Sequence, residues 1–390
     1  MPDQVIKLPA PNTLPDLILT LVALSGEFPT KQVSRLPSTK AYQQKVVKRL
    51  KKELLVYTYS QNSLRGLRLT ADAKSLLSAD RPEQFAPLFT GDTTTNAPKY
   101  SVPHRLRLHR MAEVLVTMHN AGVLVFPWEK IAVFQSSPPP AYTRVTQPAY
   151  YSSREVKEIG PQSSMIRGSR STGVLLADGG IFVVYNTGNF QMKWEFKAEL
   201  RLKFFLQTEL CRQRLPAQYM DAGVDAVVFG ADMGRLDTLM GIGDGLSHNN
   251  FVLDGGFEHF YFFPSDHKGE ALARLLCDSE LRASLDTLLL SGLRPPNPGL
   301  PIENDGLEGD TPVLFGYLCD MPRLRRFDNA LTIHGRDGIV ICFDFQEEAY
   351  RRCLGPRIQF QCLDLEAVER SVFPSPEKRS SSSPSSCPSP

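Results

Sequence analysis

The chain has 390 residues, 42% hydrophobic and 22% charged, with 44 Lys and Arg against 42 Asp and Glu, a net charge of +2. That balance is ordinary for a globular protein, and the length allows two or three domains. It excludes a disordered, core-poor chain, and apolar stretches such as Leu17–Leu24 are far short of the ~20 residues of a membrane span.

Residues 1–12 read as a flexible N-terminus. Met-Pro-Asp-Gln-Val lacks the basic and apolar regions of a signal peptide. Leu14, Leu17, Ile18, Leu21, Val22 and Leu24 fall at helical spacing, which predicts a helix over 14–25 ended by Gly26. Phe28-Pro29-Thr30 opens a short second helix, with Val33 and Leu36 turned inward. Ser38 is the expected N-cap of a third helix, 39–54. There Tyr42, Val46 and Leu50 share a predicted core face, while Lys40, Gln44, Lys45, Lys48 and Lys52 lie outside it. Amides and cations can read base edges, and lysines can neutralise phosphate. Two alternating strands, Leu55–Ser60 and Arg65–Leu69, flank a polar turn at Gln61-Asn62-Ser63, and Thr70 caps a helix over 71–78.

Residues 13–80 therefore read as a winged helix-turn-helix, with Arg65 and Arg68 on the wing as further DNA contacts. Charge agrees. Residues 1–80 hold twelve Lys and Arg against six Asp and Glu, so the rest of the chain is net negative.

Residues 81–103, rich in Pro, Asp, Thr and Asn, read as a linker that keeps the two sides thermodynamically separate. Residues 104–372 read as an α/β domain and 373–390 as a disordered tail. The domain opens with helix His104–Asn120, having Leu106, Met111, Leu115 and Met118 as candidate core. A strand near Val123–Phe126 and a short helix, Ser153–Ile159, follow. A hairpin, Gly173–Ala177 with Ile181–Tyr185, turns at Asp178-Gly-Gly180. Gln191–Arg214 reads as a long helix. Strands then alternate with helices to Ile358–Leu363, which implies a mixed α/β sheet architecture covered on both faces.

The winged-helix pattern followed by Tyr100-Ser-Val-Pro-His-Arg-Leu-Arg-Leu-His109 resembles the replication-relaxation family of plasmids and conjugative elements. The resemblance spans residues 13–210. It implies a winged helix, a helix opening with a His-Arg-Leu segment, and a restriction-endonuclease-like core. In that family an Asp-Gly turn leads into a strand carrying Glu-x-Asp. Here Asp178-Gly179 matches the turn, but the strand reads Val183-Val-Tyr-Asn-Thr-Gly188 and lacks the acidic pair.

Asp178 with Glu195-Phe-Lys197 gives another D…E-x-K order, in which the carboxylates would hold Mg²⁺ and Lys197 would position water. This needs Glu195 and Lys197 on a strand, and the surrounding residues look helical. The glycines of Gly230–Arg235 and Gly241–Gly245 match no phosphate-loop pattern. Seven histidines and seven cysteines show no metal-ligand spacing, and the scattered thiols suit a reducing cytoplasm. His104, Arg105, Arg107, His109 and Arg110 form a basic cluster, read as a solvated helix end or an added phosphate contact.

The expected function is a cytoplasmic DNA-binding protein of a mobile genetic element, acting on double-stranded DNA as in transcription regulation, without a cofactor. The α/β domain would serve dimerisation, partner or effector binding. The alternatives are a Mg²⁺-dependent nuclease, or its inactive relative, and an interaction subunit of a replication or transfer complex.

Overall fold

Thr13 starts and Gly26, at φ 73°, ends the first helix, α1 (Leu14–Ser25). Its apolar residues Ile18, Leu21 and Val22 are buried as the spacing requires. The chain then makes a two-residue strand, β1 (Phe28–Pro29), and a 3-10 turn, Thr30–Arg35, where a helix from Phe28 was expected. The reason is pairing: Phe28 lies opposite Leu67 and Pro29 opposite Gly66. Next come α2 (Lys40–Lys52), β2 (Val56–Gln61), β3 (Leu64–Leu69) and α3 (Ala71–Asp80). The three strands form an antiparallel sheet in the order β1-β3-β2. The structure, a computed structural model, describes residues 7–373 apart from 99, 242–249, 252, 254 and 298. The expected flexibility of residues 1–6, the expected tail 374–390, Gly243, Gly245, His248 and Cys387 lie outside the described residues.

The stretch 81–103 is not a free linker. It folds into α4 (Pro82–Phe85) and a 3-10 turn, Ala86–Phe89, with Phe85, Leu88 and Thr95 buried. Arg154 donates to Thr95 Oγ1 (2.6 Å) and to the Pro87 carbonyl (2.9 Å). One continuous apolar cluster runs from Ile18 and Leu77 through Phe85 and Leu88 to Val114 and Val227. Apolar side chains in the Pro- and Thr-rich segment are few, but Phe85 and Leu88 are placed where they can be buried.

A 19-residue helix, α5 (Val102–Asn120), crosses from the N-terminal module to the rest. Of the expected core residues Leu115 and Met118 are buried, whereas Leu106 and Met111 are half-buried and Arg105 and Leu108 are buried in the first turns instead. The expected strand at Val123–Phe126 is reduced to one bridge, Leu124 to Ala149. A five-stranded mixed sheet follows, from β4 (Ala149–Ser152), β5 (Gly173–Ala177) and β6 (Gly180–Gly188). After α6 (Phe196–Leu206), which widens into π winding over Gln207–Arg214, and α7 (Pro216–Tyr219), come β7 (Val224–Gly230), α8 (Leu236–Leu239) and β8 (Phe260–Pro264). The order is β4-β5-β6-β7-β8, antiparallel as far as β6 and parallel beyond. Both faces are covered. Phe182 and Val184 point into the cluster shared with the N-terminal module, and Ile181, Val183 and Tyr185 into a second core.

Two helices, α9 (His267–Cys277) and α10 (Ser279–Leu290), lead to a four-stranded sheet. It comprises β9 (Gly306–Glu308), β10 (Thr311–Phe315), α11 (Met321–His334), β11 (Gly338–Phe343), α12 (Asp344–Cys353) and β12 (Ile358–Leu363), and α13 (Leu365–Val372) ends the described chain. The order is β12-β11-β10-β9, parallel except for β9. The two larger sheets meet where Phe262 N–H donates to the Cys319 carbonyl (3.1 Å). The described residues thus form a mixed α/β structure with three sheets. Among the described residues no helix is long and apolar enough to cross a membrane.

Candidate nucleic-acid interface

The N-terminus of α2 is capped by Thr39, not Ser38: its Oγ1 accepts from Tyr42 N–H at 3.4 Å. Val46 and Leu50 are buried as expected, but Tyr42 is 47% exposed and Gln43 takes the core position. An amide is wanted there. Gln43 Nε2 donates to the carbonyls of Leu36 (2.7 Å) and Ser38 (3.2 Å), in the turn that precedes the helix. The opposite arc carries Lys40, Gln44, Lys45, Lys48 and Lys52, all exposed. Arg49, beside them, is drawn to Glu53 at 2.7 Å.

The hairpin turns through Asn62 and Ser63 at φ 50° and 62°, the two-residue loop whose twist matches its strands. Alternation puts Arg65 and Arg68 on opposite faces of β3. Arg65 is exposed, on the same face as Leu67. Arg68 is 1% exposed and is withdrawn as a DNA contact. Its guanidinium Nε and Nη2 donate to Glu27 Oε2 at 3.0 and 2.6 Å, and it lies 4.0 Å over the Tyr59 ring.

Glu27 is the centre of this arrangement and is wholly buried. Besides Arg68 it receives Arg105 Nη2 at 2.6 Å, with His109 Nε2 at 2.7 Å from Oε1. Burial alone pushes the carboxyl up, but hydrogen bonds from His109, Arg105 and Arg68 outweigh it and hold the pKa at about 2. Arg105 also donates to the Gln61 carbonyl (2.9 Å) and the Leu64 carbonyl (3.0 Å), so α5 grips both ends of the hairpin turn. Gly66 is required here because a Cβ would lie 2.4 Å from Glu27 Cγ. Arg105 and His109 of the basic cluster on α5 therefore serve the inside of the molecule.

A second set of contacts fixes the 3-10 turn. Gln32 donates to Glu113 (2.7 Å), which also accepts from Asn186 (3.0 Å). Arg35 pairs with Glu270 on α9 at 2.5 Å and donates to Thr117 at 2.8 Å. Two polar networks thus anchor Glu27, β3 and the 3-10 turn of the module to α5 and α9.

Asp178, Glu195 and Lys197 do not converge. Asp178 is in the turn before β6, where Ser279 Oγ donates to it at 3.5 Å. Glu195 precedes α6 and Lys197 is in its first turn, so neither is on a strand. Trp194 packs on Tyr185, ring centroids 5.2 Å apart. The strand run from Gly180 to Tyr185 is roughly 16 Å long, whereas carboxylates sharing Mg²⁺ each approach it to roughly 2 Å. Among the described residues no group of three or more His, Cys, Asp or Glu could hold a metal. In the stretch Gly230–Arg235, Asp232 Oδ1 accepts from Gly234 N–H (2.9 Å), closing a local turn.

Glu27 is the residue that the sequence reading missed, while Arg105 and His109, read there as part of an outward basic cluster, turn inward to it. The available signal was a lone acid between Gly26 and Phe28, with arginine and histidine four residues apart on a helix. Comparison with protein-family models, curated proteins and solved structures found no match.

Proposed function

We propose that residues 13–80 form a winged helix-turn-helix that docks on duplex DNA, with α2 entering the major groove and the β2–β3 hairpin as the wing. The observation that carries this reading is the uncovered arc of α2. Lys40, Lys45, Lys48 and Lys52 surround Gln44 there, and all five are exposed. Lysines on such an arc neutralise phosphates, while an amide is suited to a base edge. Arg65 supplies the wing contact and Arg68 does not. The α/β part holds the module from behind and is free to serve dimerisation, partner or effector binding. A replication or transfer complex of a mobile element is the setting that the resemblance suggests. A restriction-endonuclease-like catalyst would need Asp178 and Glu195 at one strand end, and the geometry gives it no support.

The test is a salt titration of duplex binding by the full chain in a gel shift. The double variant Lys45→Ala, Lys48→Ala should bind more weakly and reduce the log–log salt slope by about 0.9 for each phosphate no longer neutralised. Unchanged affinity and slope would refute the proposed face.

A further inference from the structure

A cleft of about 180 Å³ opens where the start of β3, the 3-10 turn, α5 and the ends of β6 and β7 meet. Leu64, Leu106 and Phe190 give it apolar walls, and Lys31, Arg110 and Asn189 supply its donors. Among the described residues Glu113 is the one carboxylate in the lining. Its oxygens are already met by Gln32 (2.7 Å) and Lys31 (3.2 Å) on one side and by Asn186 (3.0 Å) on the other.

Positive charge is in excess around this cleft. Arg110 is half-buried, yet its guanidinium makes no ion pair or hydrogen bond to a described residue. Burial pushes its pKa down, with the Glu113 charge opposing. Behind it, Glu27 faces both Arg68 and Arg105, so that buried network holds one more guanidinium than it has carboxylates. His109 joins the two regions, since it lines the cleft and meets Glu27 at 2.7 Å. Across the cleft the chain turns at Gly188, in the left-handed region at φ 57°. Neither the backbone N–H nor the side-chain amide of Asn189, which follows, has an acceptor among the described residues. Arg110 is close by, because a Cβ on Gly188 would lie 3.8 Å from its Nε. A half-buried guanidinium, an ammonium and free N–H groups around one space are the donors that bind an oxyanion. An anion there offsets a charge that folding leaves partly desolvated and unpaired.

We propose that this cleft holds a phosphate group, gripped by the fork of Arg110 and reached by Lys31 and Asn189, with its ester side against Phe190 and Leu106. Arg110 can offer two parallel N–H donors to it. Three separate donor residues suit the three free oxygens of a phosphomonoester better than the two of a carboxylate. Two sources share this chemistry, a free phosphomonoester and a backbone phosphate of DNA. Leu64 in the cleft wall directly precedes Arg65, so the cleft adjoins the proposed wing. The second source rests on the proposed function, and the first does not.

The experiment compares the full chain with Arg110→Gln, Arg110→Lys and Arg144→Gln, the last removing an exposed charge outside the cleft. In one arm phenyl phosphate is titrated against the thermal midpoint at fixed ionic strength, with chloride as the control anion. In the other, duplex binding is followed by gel shift across a range of salt concentrations. A free phosphomonoester should raise the parent's midpoint saturably, because a ligand of the folded state stabilises it. Arg110→Gln should abolish that rise and Arg110→Lys should weaken it. A backbone phosphate should register in the gel shift, where Arg110→Gln reduces the log–log salt slope by about 0.9. Arg144→Gln should match the parent in both arms, and a cooperative melt in chloride confirms that each variant folds. An Arg110-dependent response in either arm supports the site and identifies its source. No such response in either arm, a rise that chloride reproduces, or an equal effect of Arg144→Gln would overturn the proposal. Absence of any duplex binding by the parent would sink the winged-helix reading instead, and the phenyl phosphate arm alone then decides this one.

Discussion

Replacing Glu27 by Gln keeps its shape and removes its charge. Arg68 and Arg105, at 1% and 0% exposure, would then face each other with no anion between them. Breaking a buried ion pair by removing one partner costs about 3–5 kcal/mol. An independent route gives a similar figure. The carboxyl moves from 4.5 to about 2 on folding, and at about 1.36 kcal/mol per unit that is about 3 kcal/mol of stability. The sign follows from the depressed folded value. The contribution is complete above the unfolded value of 4.5 and is lost as pH falls towards about 2. Urea unfolding of the parent and Glu27→Gln, followed by fluorescence and circular dichroism, should show a gap of about 3–5 kcal/mol near neutral pH. The gap should narrow steadily below about pH 4.5. Carboxylates elsewhere titrate in both proteins and cancel in the difference. A gap below about 1 kcal/mol, the scale of an exposed pair, would refute the reasoning. So would a gap that stays constant down to about pH 3.

Gly66→Ala should destabilise by about 1–3 kcal/mol, because its Cβ would fall 2.4 Å from Glu27 Cγ; an unchanged urea midpoint would show that Glu27 has room to move. Leu50→Asp places an unpaired carboxylate at a site only 1% exposed, at a cost of several kcal/mol. Because the apolar cluster is continuous across α4 and α5, the whole chain should lose stability together in a calorimetric melt, and a surviving separate transition would contradict the shared core. Finally, neither Asp178→Ala nor Glu195→Ala should alter any Mg²⁺-dependent nicking of supercoiled plasmid, and a nicking activity abolished by both would reinstate the nuclease reading.

What the sequence made legible was local. Helix α1 and strands β11 and β12 begin and end where their periodicity and turn residues place them. The helix satisfies its own hydrogen bonds, and the two strands are short runs bounded by turn residues that pair in register with each other, so local pattern identifies all three. Two short strands without such periodicity, β4 and β9, were not anticipated, and neither was α13, although Leu365, Val368 and Val372 fall at helical spacing on it. The segment 81–103 misled for a related reason. Its composition is that of a loop, yet a loop with a few well-placed apolar residues can dock as firmly as a helix once a complementary surface exists. Tyr42 and Gln43 exchanged places because hydrophobic periodicity cannot foresee an unpaired carbonyl, whereas the folded turn presents two to Gln43.

Charge was the least legible property, since a sequence count cannot tell an inward cation from an outward one. Of the cations in residues 1–80, Arg68 is bound to Glu27, Arg35 to Glu270 and Arg49 to Glu53. Lys31 also reaches Glu113, at 3.2 Å. Two of the four pairs, Arg35 with Glu270 and Lys31 with Glu113, tie the 3-10 turn of the module to α9 and α5, and the other two lie within the module. Apart from Lys7 and Lys31, whose side chain is 71% exposed, the cations of residues 1–80 left facing solvent are on α2, together with Arg65 on β3. The same folding that withdraws Arg68 from the wing therefore concentrates the remaining positive charge on one helix and one strand. A salt slope measured for this protein should reflect that smaller set rather than the full basic count of residues 1–80.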